Sequence, residues 1–165
     1  MDIISPLLIL KKYSTSDFED FCKVICNDEV MLHISGKGHT RLVAKEKFDL
    51  LLKTNQEHDF YGIYKVVLKE TNKMIGFAKI TPFEKKCIEI GYALLPPYWR
   101  MGYTIEMIKT LTKHGLNYFP EKKLMAIVNE ENIASVNVLE KNGYQVYKKE
   151  NFKDSPCLLL AYANL

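Results

Sequence analysis

The sequence predicts one mixed α/β domain, and three observations lead to this fold class. Strand-like and helix-like patterns alternate along the chain, no linker, repeat or low-complexity stretch interrupts them, and 165 residues is the size of one ordinary domain. Hydrophobic residues make up 47% of the chain and charged residues 26%, a balance typical of soluble globular proteins. We therefore expect residues 1–165 to form a single domain around one core.

The amino-terminal third predicts a strand followed by two helices. Residues 7–12 are strand-like. Ser16 and Glu19 have the spacing of a capping box, which predicts that a helix begins there. Apolar residues at helical spacing predict a second helix over about residues 40–53, and the glycine-containing residues 35–38 between the two helices are typical of a loop.

A hairpin and a central strand come next. Two strand-like runs, residues 60–69 and 74–80, are joined by the turn sequence Glu70-Thr71-Asn72-Lys73, which predicts an antiparallel hairpin. Residues 88–95 then alternate in polarity and size, which predicts a strand with two different faces. Its first face carries Ile88, Ile90, Tyr92 and Leu94, and its second face carries Glu89, Gly91 and Ala93. This strand must end at Pro96-Pro97 because proline donates no ladder hydrogen bond.

The carboxy-terminal half predicts a βαβ-like succession. Helices at about residues 102–117 and 132–142 alternate with strands at residues 124–128 and 144–148. The apolar residues 157–162 predict a last strand that is buried on both faces or inserted beside other strands.

Charge and cysteine content argue against several classes of protein. The 23 Lys and Arg exceed the 20 Asp and Glu by only three charges, so no nucleic-acid partner is expected. The apolar opening segment is too short for a signal peptide or a membrane span, so we expect no membrane partner and a cytoplasmic location. The four cysteines lack the spacing of a zinc site or a disulfide framework, so no metal is expected.

A candidate ligand-binding segment lies between the central strand and the third predicted helix. In Tyr98-Trp99-Arg100-Met101-Gly102-Tyr103-Thr104 a loop becomes a helix at a glycine, so unpaired N–H groups and the positive end of the helix dipole point at one place. Such a junction can bind a phosphate group. A lone glycine is also common at junctions without a ligand, so this segment alone leaves both interpretations open.

A set of motifs between residues 88 and 148 indicates a resemblance to a known family. The motifs are Glu89-Ile90-Gly91-Tyr92, Tyr98-Trp99 and Gly102-Tyr103, followed by Ser135, Leu139-Glu140-Lys141 and Gly143-Tyr144. In order and spacing they resemble the GNAT acetyltransferases of the ribosomal-protein N-acetyltransferase (Rim) type. The resemblance implies a mixed, mostly antiparallel sheet of about seven strands with a splayed central pair, flanked by about four helices.

The same resemblance implies acetyl-CoA as cosubstrate. In the family the central strand carries a bulge and splays from its neighbour, so that its amides bind the pantetheine arm, and the following loop binds the pyrophosphate. The matching strand positions here are Ala93, Leu94 and Leu95, and the matching loop positions are Trp99, Arg100, Met101, Gly102, Tyr103 and Thr104. The N–H of Leu94 is the candidate oxyanion donor. Asn129 and Asn132 match positions that hold the pantetheine amides, although Asn132 is equally suited to cap the next helix.

Two loop positions depart from the family pattern. The family usually has glycine where this chain has Arg100, and alanine or glycine where it has Thr104, so the backbone is expected to approach the phosphates less closely. The Arg100 side chain offers a charge-assisted contact to a phosphate in exchange.

Transfer to an amine requires a base and an acid near the thioester. Glu89 is the candidate base, acting directly or through a water molecule, and its alternative role is a salt-bridged strand carboxylate. Many members of the superfamily have a tyrosine as acid at the position of Leu139, which cannot transfer a proton. In Rim-type relatives a serine matching Ser135 is proposed instead, and the alternative is a helix serine bonded to the preceding turn.

The function expected is acetyl transfer to a primary amine, such as a protein N-terminal amine, by direct attack in a ternary complex. Two alternatives remain open: acetylation of a small amine such as a polyamine or an aminoglycoside, or a non-catalytic acyl-CoA-binding domain. The protein is expected to be a monomer or a homodimer, with residues 158–161 as a candidate dimer seam.

Overall fold

The computed structural model describes residues 1–152 and 154–163, which form one eight-stranded sheet with five α-helices. The strands are β1 (Ile3–Ile4), β2 (Leu8–Lys12), β3 (Gly62–Leu68), β4 (Lys73–Pro82), β5 (Cys87–Leu94), β6 (Lys123–Asn129), β7 (Tyr144–Phe152) and β8 (Ser155–Tyr162). The helices are α1 (Phe18–Ile25), α2 (Asp28–Ser35), α3 (Arg41–Glu57), α4 (Tyr103–Tyr118) and α5 (Ile133–Lys141). None of these helices is long and apolar enough to cross a membrane.

The sheet is mixed and mostly antiparallel, as the sequence predicted. Its strand order is β1-β2-β3-β4-β5-β6-β8-β7, and each pair of neighbours is antiparallel except β5 and β6. The parallel pair is joined through α4, which is the βαβ unit that the alternating pattern predicted. The parallel pair lies near the middle of the sheet, with apolar layers on both faces.

The sheet divides the interior into two apolar clusters, whereas one core was expected. On one face, α4 and α5 pack residues such as Met107 and Leu139 against Ile90 of β5. On the other face, α1, α2 and α3 bury residues such as Phe48 against Ala93 of the same strand. The alternating faces predicted for the central strand are therefore confirmed, because each face contributes to a different cluster.

Two elements were missed, so the sheet has eight strands rather than about seven and five helices flank it rather than about four. One is the two-residue edge strand β1. The other is α2, which begins after Asn27, whose Oδ1 accepts a hydrogen bond from the Val30 N–H at 3.1 Å, and ends at Gly36 with a φ of 82°. The first capping box also lies elsewhere: the Ser14 N–H donates to Asp17 Oδ2 at 2.8 Å.

The carboxy-terminal strands form one margin of the sheet. Strand β8 lies between β6 and β7, which confirms that this apolar strand is inserted beside others. Residues 158–161 are therefore interior, and their backbone groups pair within the sheet rather than offering a dimer seam. Strand β7 is the exposed edge, and its register shifts between Val146 and Lys148, so that Tyr147 forms a bulge.

Candidate active site

The parallel pair β5–β6 opens into a gap. The two strands pair only over residues 87–89 and 123–125. Beyond that point β5 stays paired with β4 as far as Leu94, and β6 stays paired with β8 as far as Asn129. The splayed central pair that the resemblance implied is therefore present. The backbone N–H and C=O groups on the facing edges of residues 90–94 and 126–129 are not hydrogen-bonded to each other.

Alternation along β5 decides which backbone groups face this gap. The Leu95 N–H donates to the Ile75 carbonyl at 2.8 Å. In an antiparallel ladder every second residue bonds the same neighbour, so Ala93 also turns its N–H to β4, while Leu94 and Tyr92 turn theirs to the gap. Of the three strand positions expected to bind pantetheine with their N–H groups, only Leu94 therefore faces the gap. Tyr92 was missed, although the period of two along the strand would have revealed it.

The bulge expected in the central strand is absent from it. The register between β4 and β5 runs without a break from Ile88 to Leu94. A bulge lies instead in β4 at Ile75, where β3 pairs Val66 with Gly76 and Val67 with Met74. The N–H groups of β5 are thus freed by the departure of β6 and not by an extra residue.

Gly76 holds the splayed half of β5 close to β4. A Cβ atom added at this position would lie 2.1 Å from the Ala93 carbonyl oxygen and 2.9 Å from the Leu94 Cα. Both contacts are with backbone, which cannot rotate away as a side chain can. Glycine is therefore required beside the residues whose amides face the gap.

The loop after β5 is tied to the end of that strand. Following the 3-10 turn at residues 96–98, the Trp99 indole Nε1 donates to the Leu94 carbonyl at 2.7 Å, which ties the loop to the end of the strand. Arg100 and Gly102 then adopt left-handed conformations with φ of 60° and 85°. Arg100 thus takes the backbone conformation that glycine adopts most easily, and its side chain is exposed.

Helix α4 begins without a side-chain cap. Its N-cap residue is Gly102, which has no side chain to bond the N–H groups of the first turn. Tyr103 and Thr104 are half-buried in that turn, and Met101 is exposed beside it. The junction therefore fits a phosphate group, because it combines free N–H groups with the positive end of a 16-residue helix.

The turn between β6 and α5 forms the other wall of the open end. Asn129 Oδ1 accepts a hydrogen bond from the Glu131 N–H at 2.9 Å, and Asn132 Oδ1 accepts one from the Ser135 N–H at 3.2 Å. The capping role considered for Asn132 is therefore confirmed. Both asparagines commit their amide oxygens to the turn, so a ligand would meet their NH₂ groups as donors.

Glu89 lies on the face of the sheet that α1, α2 and α3 cover. Its Oε1 is 2.7 Å from the Lys79 Nζ, and its side chain is 14% exposed. The alternative considered for Glu89, a salt-bridged strand carboxylate, is thus present in the structure. Helix α2, which the sequence analysis missed, contacts β6 and flanks the gap on this face.

Ser135 lies on the opposite side of the gap. It is the third residue of α5, which packs on the other face of the sheet together with Tyr92 and the fully buried Leu139. Burial raises the pKa of Tyr92 to about 12, and the Ser135 hydroxyl is near enough to oppose that rise, although the two hydroxyls do not meet normal hydrogen-bond geometry. The candidate base and the candidate acid therefore lie on opposite faces, with the gap between them.

Two cavities lie away from this gap. One, of about 680 Å³, lies between the amino-terminal residues 1–6 and α4, and Gly102 is the one candidate site residue that lines it. The other, of about 490 Å³, is lined by residues such as Tyr61 and Phe119. Across residues 1–152 and 154–163, no group of three or more His, Cys, Asp or Glu side chains could hold a metal ion.

Comparisons with known proteins agree with this geometry. Residues 8–145 match the family described as "Acetyltransferase (GNAT) domain". The chain is 27% identical over 144 residues to "Uncharacterized N-acetyltransferase YoaA" of Bacillus subtilis (strain 168), covering 84% of this chain and 79% of that protein. Its fold is similar to that of a GNAT-family acetyltransferase from Bacillus anthracis, with a TM-score of 0.83, 20% identity and 98% and 97% of the two chains covered.

A further similar structure is "RimL- Ribosomal L7/L12 alpha-N-protein acetyltransferase in complex with Coenzyme A", with a TM-score of 0.81, 16% identity and 98% and 97% of the two chains covered. The splayed parallel pair and the uncapped helix after it thus define an acetyltransferase fold. The chain belongs to the GNAT acetyltransferase family, and it is an N-acetyltransferase that uses acetyl-CoA.

Proposed function

We propose that this N-acetyltransferase acetylates the α-amino group of a protein or peptide chain by direct attack in a ternary complex. The observation that carries the proposal is the gap between β5 and β6, which has Glu89 on one face of the sheet and Ser135 on the other. An amine can approach from the first face while the thiolate leaves on the second. The fold of a RimL α-N-protein acetyltransferase, which is similar, supports a protein N-terminus as acceptor.

Acetyl-CoA fits the gap through backbone and amide donors. The N–H groups of Leu94 and Tyr92 donate to the pantetheine arm and to the oxyanion that develops on the thioester, and the asparagine amides of the opposite wall donate to the pantetheine carbonyls. The pyrophosphate lies at the start of α4, within residues 99–104, where the Arg100 guanidinium adds a charge-assisted contact.

The proposed reaction uses one residue on each face of the sheet. The neutral amine attacks the thioester carbonyl, Glu89 takes up the proton that the nitrogen loses, through a water molecule, and Ser135 donates a hydrogen bond to the leaving sulfur. Carboxylates are weak bases, and one oxygen of Glu89 is engaged by Lys79. The acceptor should therefore have an appreciable neutral fraction near pH 7. An α-amino group, with a pKa of about 8, is roughly one-tenth neutral at that pH, whereas a lysine, with a pKa near 10.4, is less than about one-thousandth neutral.

A panel of amines tests the proposal. Release of the CoA thiol is measured with peptides that begin with Ser, Ala or Met, each with a free α-amine, and with matched peptides that carry a blocked α-amine and a free lysine. Spermidine and an aminoglycoside complete the panel. We expect turnover with free α-amines and none above background hydrolysis with the blocked peptides, and mass spectrometry of the product should locate the acetyl group on the first residue.

Each other outcome has a definite meaning. Turnover with spermidine or the aminoglycoside alone would contradict the α-amine acceptor and assign a small-molecule acetyltransferase. Thermal stabilisation by acetyl-CoA without turnover on any amine would contradict the acceptor assignment and identify a domain that binds its cosubstrate without using it.

A further inference from the structure

The side chain of Lys79 lies across the splayed half of β5. In the register between β4 and β5, Lys79 is opposite Gly91, and Thr81 is opposite Glu89. A Cβ atom added at Gly91 would lie 2.7 Å from Lys79 Cε and 3.0 Å from Lys79 Cγ, so the lysine stem packs on the Gly91 backbone. Gly91 does not have a positive φ, so its missing side chain serves this close approach and not a turn.

This stem brings the Lys79 ammonium to Glu89, its diagonal neighbour on the same face of the sheet. Lys79 Nζ lies 2.7 Å from Glu89 Oε1, and the two side chains are only 31% and 14% exposed. A half-buried carboxylate without a partner attracts any cation that enters, because water screens it only in part. The pairing with Lys79 therefore decides which charge an acceptor meets beside the gap.

The carboxylates on the acceptor side of the sheet are both neutralised by lysines. Within the strands β3, β4 and β5, all of whose residues the structure describes, Glu89 is the one carboxylate. A second, Asp17, reaches the same face from the segment before α1 and pairs at 2.5 Å with Lys65 of β3, which lies on the same face as Lys79. These two carboxylates thus leave no net negative charge for a polycation to bind.

We propose that Lys79 is a specificity-determining residue that excludes polycationic amines from the acceptor side. By neutralising Glu89, it removes the anionic contact that the additional ammonium groups of a polyamine or an aminoglycoside would otherwise make. The inference rests on the proposed function, in which the acceptor reaches the thioester past Glu89, and it identifies a residue that selects a single α-amine over a polyamine.

The ion pair is compatible with the role proposed for Glu89. Lys79 contacts Oε1, which leaves Oε2 for the water molecule that carries the proton. A nearby ammonium also disfavours a second positive charge, so a neutral acceptor nitrogen is held better than a protonated one. Lys79 therefore favours the form of the amine that can attack, and an acceptor with one amine has no further charge to be excluded.

Spermidine binding tests the inference without turnover. Calorimetry measures the dissociation constant of spermidine for the protein saturated with CoA, so that any binding of spermidine to CoA itself is common to all variants. The first variant is Lys79→Met, which keeps the stem over Gly91 and removes the charge. We expect Lys79→Met to bind spermidine about tenfold more tightly than the wild type at low salt, and the gain to disappear at high ionic strength.

Three further variants show whether the charge is the cause. Lys79→Arg restores a cation and should behave as the wild type. The double variant Lys79→Met/Glu89→Gln carries no charge at either position, so its spermidine affinity should also return to that of the wild type. Lys79→Gln gives Glu89 an amide partner in place of the ammonium and repeats the test if methionine lowers the melting temperature.

Lys65→Met is the matched control, since it unpairs a half-buried carboxylate on the same face but on a strand farther from the gap. Its spermidine affinity should stay near that of the wild type. Three results would overturn the inference: unchanged affinity in Lys79→Met and Lys79→Gln, an equal gain in Lys65→Met, or a gain that persists in the double variant. The proposed function fails by a different result, the absence of turnover with free α-amines, which this calorimetry does not measure.

Discussion

The two halves of strand β5 differ although they belong to one continuous strand. Residues 88 and 89 are paired on both edges, with β4 and with β6, whereas residues 90–94 are paired with β4 alone. Side chains on both halves are largely buried, so apolar packing does not distinguish them. The difference lies in the backbone: the first half has used its hydrogen bonds for the sheet, and the second half keeps donors for a ligand.

This contrast shows how a binding site can be made from a strand without disturbing its core. The splayed half keeps its register because β4 holds it and because the Trp99 indole fixes its last carbonyl. Unpaired donors at a sheet edge are costly in a dry environment, so the gap must be met by water or by a ligand. Substitutions at Gly76 and Glu89 test whether the two halves differ in this way, and substitutions at Arg100 and His114 test the loop and the helix that follow the strand.

The largest effect is expected at Gly76, beside the splayed half. Gly76→Ala places a methyl group against the backbone of Ala93 and Leu94, and we expect a loss of roughly 3 kcal/mol in the free energy of unfolding together with weaker binding of acetyl-CoA. The matched control is Gly91→Ala, whose methyl group meets only the flexible side chain of Lys79 and should cost less than about 1 kcal/mol. Equal losses in two urea titrations would contradict the close backbone contact assigned to Gly76.

Glu89→Gln, at the end of the paired half, tests whether the carboxylate serves chemistry or structure. We expect kcat to fall about a hundredfold because the amide cannot take up a proton, with little change in KM for acetyl-CoA. Lys79→Met is the companion variant, since it removes the ammonium of the ion pair and leaves the carboxylate. Wild-type kcat in Glu89→Gln with a lowered melting temperature would assign the ion pair to stability alone.

Replacing Arg100 with glycine should have two smaller effects, a gain in stability and a loss of acetyl-CoA affinity. Arg100→Gly relieves the left-handed backbone and should stabilise the fold by about 1 kcal/mol, while the loss of the guanidinium should weaken acetyl-CoA binding about tenfold. Arg100→Ala should weaken binding equally without the gain in stability. Calorimetric titration measures both dissociation constants, and unchanged values in the two variants would remove Arg100 from the phosphate site.

The smallest effect concerns His114 of α4, away from the gap. Burial lowers the pKa of this imidazole from 6.5, and the Phe60 carbonyl, 2.5 Å from Nε2, opposes part of the shift. Because the pKa is lower in the folded state, the contribution to stability is present above pH 6.5 and is lost as the pH falls towards the folded pKa. His114→Gln should flatten this acid loss, measured as the free energy of unfolding between pH 7 and 5, and an unchanged slope would contradict the assignment.

Local sequence patterns predicted most of the strands and helices. The alternation of residues 88–95 predicted both faces of β5, and helical spacing predicted α4 and α5 within a few residues. Helix α2 was missed because it is only eight residues long and its apolar residues do not form a clear stripe. Strand β1 was missed because two residues carry no period at all.

The geometry around the candidate site was predicted in part, and the roles of its residues stay predictions. The resemblance located the gap and the loop after it, and the backbone of Arg100 confirms that a glycine conformation is used there. The sequence could not show that Lys79 engages Glu89, since that contact depends on strand register. It also could not show that Leu95 turns its N–H away from the gap, because this depends on which residue pairs with Ile75.

Strand β7 has a consequence for how the protein behaves at high concentration. It is a nine-residue strand with a free edge, the type of surface that templates chain-to-chain pairing and precipitation. The bulge at Tyr147 twists that edge, and the charged Lys148, Lys149 and Glu150 place solvated groups along it. Replacing Lys148 and Lys149 with valine would keep the strand and make its edge prone to pair with other chains.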